Sequence, residues 1–84
     1  VRLAREAEKQ LRKLPPDRHA LIMKHLREMR EDPFRGGVKA LQGKEWKGKY
    51  RKVSGRYRII FALLHQERVV EVLLILLRNE KTYQ

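Results

Sequence analysis

Apolar residues recur along the first third of the chain at the spacing of a helix surface. Leu3, Ala7, Leu11 and Leu14 form one stripe, with Arg5, Glu8, Lys9, Arg12 and Lys13 on other faces, which predicts a helix over residues 2–14. Pro15-Pro16 ends it, because a proline holds the residue before it in extended backbone. A second stripe of Leu21, Ile22, His25, Leu26 and Met29 predicts a helix from Pro16 or Asp17 to about Glu31. Asp17 suits the positive end of that helix's dipole. His25 falls inside the stripe and reads as a core or boundary histidine. The tight break between two amphipathic helices makes an αα-hairpin. Asp32-Pro33 stops the second helix, and Gly36-Gly37 marks a loop.

Beyond that loop the apolar period drops to two, and three strands fit. The first covers roughly Trp46 to Val53, with a turn at Ser54-Gly55. The second, Arg56 to Leu64, alternates: Tyr57, Ile59, Phe61 and Leu63 on one side, Arg58, Ile60, Ala62 and Leu64 on the other. His65 to Arg68 makes a hairpin loop. The third, Val69 to Leu77, is apolar on both faces except for Glu71, as in a central or well-covered strand. The polar stretch from Arg78 to Gln84 is expected to leave the sheet. The fold class is α+β in a single domain of 84 residues, with two helices packed on one face of a small, twisted antiparallel sheet. Three strands are few for such a core. A fourth, truncated N-terminal strand is therefore expected before Leu3, with Val1 as its last residue.

Charge sharpens the picture. The chain carries a formal net charge of +11. Residues 1–32 mix nine basic with six acidic side chains, whereas residues 35–58 set nine basic against Glu45 alone. The excess is thus concentrated in the stretch KEWKGKYRKVSGRYRIIF, Lys44 to Phe61. A nucleic-acid backbone, an acidic protein or an anionic membrane surface would each suit it. No apolar run approaches the length of a membrane span. There is no cysteine, which excludes disulfides and thiolate metal sites and fits a reducing cytoplasm. His19, His25 and His65 are scattered. Paired carboxylates are absent from the basic stretch, and Gly36-Gly37 lacks the lysine and spacing of a phosphate loop. No metal or cofactor is expected. Taken alone, these residues describe a small basic α+β domain that binds nucleic acid.

Four pieces of the chain go further: LRKLPPDRHALIMKHLREMREDPF (Leu11–Phe34), VKALQGKEWKGKYRKV (Val38–Val53), GRYRIIF (Gly55–Phe61) and VVEVLLILLRNEKTY (Val69–Tyr83). In this order they resemble the RelE/ParE superfamily of toxins from bacterial and archaeal type II toxin–antitoxin pairs. The resemblance implies two helices on a curved antiparallel sheet whose first strand precedes the first helix. It also implies one of two activities. RelE-like toxins cleave messenger RNA on the ribosome, without a cofactor; ParE-like toxins inhibit DNA gyrase without a nuclease site. Both kinds are neutralised by a small antitoxin that wraps along the toxin. A degenerate member would keep only antitoxin binding.

Cleaving RNA without a metal requires activation of the 2′-hydroxyl, stabilisation of charge on the phosphate and protonation of the leaving 5′-oxygen. Arg58 matches the strand arginine of the family's YR motif, where its guanidinium fork would hold the phosphate. Its alternative is an ordinary sheet-face arginine that pairs with Glu71 or with a helix. Arg78 matches the C-terminal arginine and Tyr83 the C-terminal tyrosine, which orients substrate or moves a proton. The nucleases often carry two basic residues on one strand, separated by one position. Arg51 matches the first of these, and the second falls on Val53, which favours the gyrase reading. Lys47, Lys49, Lys52, Arg56 and Lys81 are candidates for the RNA backbone, or form a solubilising or antitoxin-binding face. Lys49 and Arg51 share a strand face, and Lys52 points the other way. Tyr50 reads as a core aromatic. Trp46 is either core or a base-stacking platform.

Overall fold

The computed structural model describes residues 1–64 and 66–77. The elements in chain order are β1 (Arg2–Leu3), α1 (Arg5–Arg12), α2 (Pro16–Glu31), β2 (Val38–Ala40), β3 (Lys49–Ser54), β4 (Tyr57–Leu64) and β5 (Val69–Leu77). The five strands form one sheet in the order β1-β5-β4-β3-β2. All neighbours are antiparallel except β1, which runs parallel to β5.

The α2 bounds agree with the apolar stripe, and Pro16 takes the first helical position, where its missing N–H costs nothing. The first helix is shorter than the 2–14 predicted. Its C-terminal end tightens, with Lys13 and Leu14 N–H donating to Gln10 and Leu11 carbonyls, before Pro15 breaks it. At the other end Arg2 and Leu3 belong to β1, in register with Glu71 and Val72. Leu3 fits a helical stripe by spacing, yet as a strand residue it buries against Val72 and covers the outer edge of β5. The expected N-terminal strand therefore exists, but it includes Leu3 rather than ending at Val1. Past this two-residue strand, α1 takes over the edge: the Ile75 N–H donates to Gln10 Oε1 at 2.7 Å.

Two further differences lie in the basic stretch. β3 starts at Lys49, not Trp46, because Gly48 sits at a φ of +78°, which breaks the extended run. Lys44–Trp46 instead form a single 3-10 turn. Opposite β3, Val38–Ala40 make a short edge strand that the sequence pattern does not reveal; three residues are too few to show a period. Between β3 and β4, Gly55 at φ +58° supplies the first position of a tight two-residue hairpin.

The core lies between the helices and one sheet face. Ala7 and Leu11 from α1, Ile22, Leu26 and Met29 from α2, and Ile59, Phe61, Val72 and Ile75 from the sheet close around each other. Tyr50 packs against this core, and its ring stacks on Phe61 across the strands at 5.6 Å between centroids. Phe34, half-exposed, meets Tyr50 edge-on at 5.2 Å. In β5, Leu73 has no cross-strand partner, because Phe61 pairs with Val72 and Ile60 with Leu74. That bulge places Val70, Val72 and Ile75 on the helix side and Glu71, Leu74 and Leu76 on the other. The strand is apolar on both faces as the sequence reads, but it lies next to the edge rather than at the centre.

Truncating the buried ring in Phe61→Ala should cost about 3–5 kcal/mol of a total near 5–15 kcal/mol. Phe34→Ala, at a half-exposed site, should cost well under half of that. Urea unfolding of the two variants checks the ordering.

Candidate nucleic-acid interface

Strand pairing decides which basic side chains meet. Tyr50, Lys52 and Ser54 of β3 pair with Phe61, Ile59 and Tyr57, so these residues face the helices. Lys49, Arg51 and Val53 pair with Ala62, Ile60 and Arg58, so these face away. Lys39 of β2 pairs with Arg51, and Leu76 of β5 with Arg58. The open face thus gathers Lys39, Lys49, Arg51 and Arg58 around Ile60, which is fully buried beside Arg51 and Leu74.

Directly paired residues stand about 5 Å apart and same-face neighbours on one strand about 7 Å apart. Arg51 therefore has Lys39 opposite it and Lys49 two positions away on its own strand, and Lys39 opposite Arg51 is a like-charge pair that a sheet carries at a cost. A polyanion laid across the face relieves that cost. The open-face carboxylate of β5, Glu71, does not offset it: Arg2 holds Glu71 Oε2 through Nε at 3.2 Å and Nη2 at 3.0 Å, at the β1 edge. Glu71, one of the two partners expected for an ordinary Arg58, is held by Arg2. Lys49 is fixed in place: its ammonium donates to the Glu45 carbonyl at 2.9 Å and lies over the Trp46 ring at 5.8 Å. A positioned cation costs less to order when a ligand arrives.

The other expected residues separate. Lys47 and Arg56 are exposed in the turns at opposite ends of β3, at the margins of the face. Lys52 was expected on the RNA backbone, but β3 turns it inward. It is 3% exposed, and its ammonium donates to the Arg35 carbonyl at 3.0 Å. Arg78, Lys81 and Tyr83 lie outside the described residues. Lys39 is the residue the sequence reading missed, because its strand was missed. Among the described residues no three metal-ligating side chains cluster, and no helix is long and apolar enough to cross a membrane.

No protein-family model matches the sequence, and no curated protein does. Solved structures do match. A chain of the toxin–antitoxin complex RelBE2 from Mycobacterium tuberculosis superposes with a TM-score of 0.82 at 25% identity, over 93% of this chain and 95% of that one. The archaeal RelE–RelB complex from Pyrococcus horikoshii gives 0.78 at 22%, over 95% and 94%. The isolated E. coli RelE toxin gives 0.77 at 24%, over 96% and 85%. The fold is that of RelE, within the RelE/ParE toxin superfamily. On this RelE fold, the cationic face is the side of the sheet that both helices leave bare.

On the covered side, His25 lies on α2 with Nδ1 3.3 Å from Glu28 Oε1. Burial, and next the nearby Lys52 charge, lower its pKa below the ordinary value of 6.5, against a smaller opposing pull from Glu28. The unfolded chain therefore binds a proton more readily than the folded one just below pH 6.5, so stability rises with pH there. Thermal unfolding midpoints should fall as pH drops from about 7.5 to 5.5, and the fall should shrink in His25→Gln. Equal falls in both proteins would contradict the burial and charge argument.

Proposed function

We propose that this chain is the toxin of a type II toxin–antitoxin pair, and that it cleaves messenger RNA on the ribosome without a metal. The observation that carries this reading is the group of Lys39, Lys49, Arg51 and Arg58 on the bare face of a RelE fold. The two strand cations separated by one position are Lys49 and Arg51, both on the open face. In this reading that pair supplies the two strand cations, while Val53, on the same face, stays the feature that favours gyrase inhibition or a degenerate toxin.

In this reading Arg58 grips the non-bridging oxygens of the scissile phosphate with its fork of donors. Arg51, Lys49 and Lys39 hold the charge of that phosphate and its neighbours. An arginine is a poor proton acceptor, so the part played by Arg58 and Arg51 is electrostatic: they stabilise the charge that builds up as the 2′-oxygen attacks. Arg78 completes the phosphate grip, and the Tyr83 phenol stacks on a base or moves a proton. Both roles rest on the resemblance. The ribosome presents the RNA in reactive geometry and sets the place of action in the cytoplasm. The partner is a small antitoxin whose acidic residues meet the cationic face. Three of the matching structures are RelE–RelB or RelBE toxin–antitoxin complexes, which supports an antitoxin partner.

Incubated with programmed ribosomes, the protein should cut the message, and Arg58→Ala should slow cleavage by about 10²–10³-fold, as for loss of one charge-stabilising donor. Primer extension on the message reads both. A folded, growth-inhibiting protein that cuts nothing on ribosomes but blocks DNA supercoiling by gyrase would overturn the nuclease reading.

A further inference from the structure

Among the described residues, Lys52 is the one charged side chain that is buried. Removing an ammonium from water costs several kcal/mol unless a partner compensates it. Packing does not call for a charge here. Its cross-strand neighbours, Val38 and Ile59, are apolar, and a methionine would fill the same space. What the ammonium does is reach the Arg35 carbonyl at 3.0 Å. Arg35 lies in the segment that runs from the end of α2 into β2. The same segment is tied to β3 by the Val53 N–H, which donates to the Gly37 carbonyl at 3.2 Å. β2 itself has three residues and β3 as its one strand neighbour among the described residues; Val38 packing on the core and the Leu41 N–H donating to the Lys49 carbonyl are its other anchors. Its Lys39 is the cation paired with Arg51.

We infer that Lys52 is a positioning residue for the open face: from the covered side it latches the Arg35 carbonyl, and so holds β2 and Lys39 against Arg51. Alternate residues of β3 then serve one task from opposite sides of the sheet. Arg51 meets the ligand, while Lys52 fixes the edge strand that carries the next cation. The latch itself is a statement about this fold, and only its effect on affinity rests on the RNA-binding reading.

The test uses Lys52→Met, which keeps the volume and removes the charge. Backbone amide exchange is followed at Val38 and Val53, with Leu26 in α2 as the reference for global opening. Binding is measured to a 2′-O-methyl RNA oligonucleotide, which cannot be cleaved. Exchange at Val38 and Val53 should quicken about tenfold relative to Leu26. RNA affinity should fall about threefold or more, and this fall should nearly vanish when Lys39→Gln is already present, since both changes then remove the same contact. Unchanged exchange, or affinity losses that simply add, would overturn the inference. If the unaltered protein binds no RNA, the nuclease reading fails, and the exchange result alone decides the latch.

A second variant covers the case in which Lys52→Met does not fold. The chain has no cysteine, so Lys52→Cys can be alkylated in denaturant and refolded. One sample receives 2-bromoethylamine, which restores an ammonium at nearly the native length, and another receives bromopropane, which is neutral. The ammonium form should keep slow exchange at Val38 and Val53, and the neutral form should lose it. Identical behaviour of the two forms would refute the latch.

Discussion

The pairing of β3 with β4 is the constraint on which the rest of the molecule depends. Ser54 opposite Tyr57 and Tyr50 opposite Phe61 set a register in which every side chain of β3 has an assigned side. A slip of one residue would send Arg51 into the core and Tyr50 into solvent. Two features pin it. Gly55, at a positive φ, allows only a tight turn, and the Tyr50–Phe61 stack is available in one alignment. The cationic face is a consequence of that alignment, not of the basic residues' own preferences, since like charges on neighbouring strands repel.

Burial therefore holds the charges together. The apolar layer of α1, α2 and the inner sheet face provides the free energy, and the open face carries the electrostatic cost. Two arrangements keep that face from being neutralised. Arg2 takes up Glu71 at the β1 edge, and Lys49 is held by a carbonyl and an indole rather than by a carboxylate. The result is a positive surface in which neither Glu71 nor a carboxylate at Lys49 offsets the excess, which suits a phosphate backbone.

Much of this is legible in the sequence where the local pattern and the tertiary environment agree. α2 is amphipathic over several turns, and β4 alternates cleanly because Ile59 and Phe61 meet the helices while Arg58 and Ala62 face the other side. β5 shows as an apolar run because Val70, Val72 and Ile75 face the helices while Leu74 and Leu76 flank Ile60 on the other side. The misreadings arise where the environment overrides the pattern. Leu3 has helical spacing to Ala7, but an uncovered strand edge draws it into β1. β2 is held by its neighbour and carries no period of its own, so Lys39 was invisible as a site residue. Lys52 looks like a surface cation because nothing local indicates that the Arg35 carbonyl waits inside. That Lys49 and Arg51 share a face follows from strand alternation alone, and the pairing adds Lys39 and Arg58 beside them.

The central claim is that the bare sheet face, rather than the helical face, holds RNA. Titrating the ¹⁵N-labelled protein with a short 2′-O-methyl RNA at low and at moderate salt tests it most directly. The account predicts that amide shifts concentrate at Lys39, Lys49, Arg51, Arg58 and their strand neighbours, and that they weaken steeply as salt rises. Shifts confined to α1 and α2, or binding indifferent to salt, would contradict it.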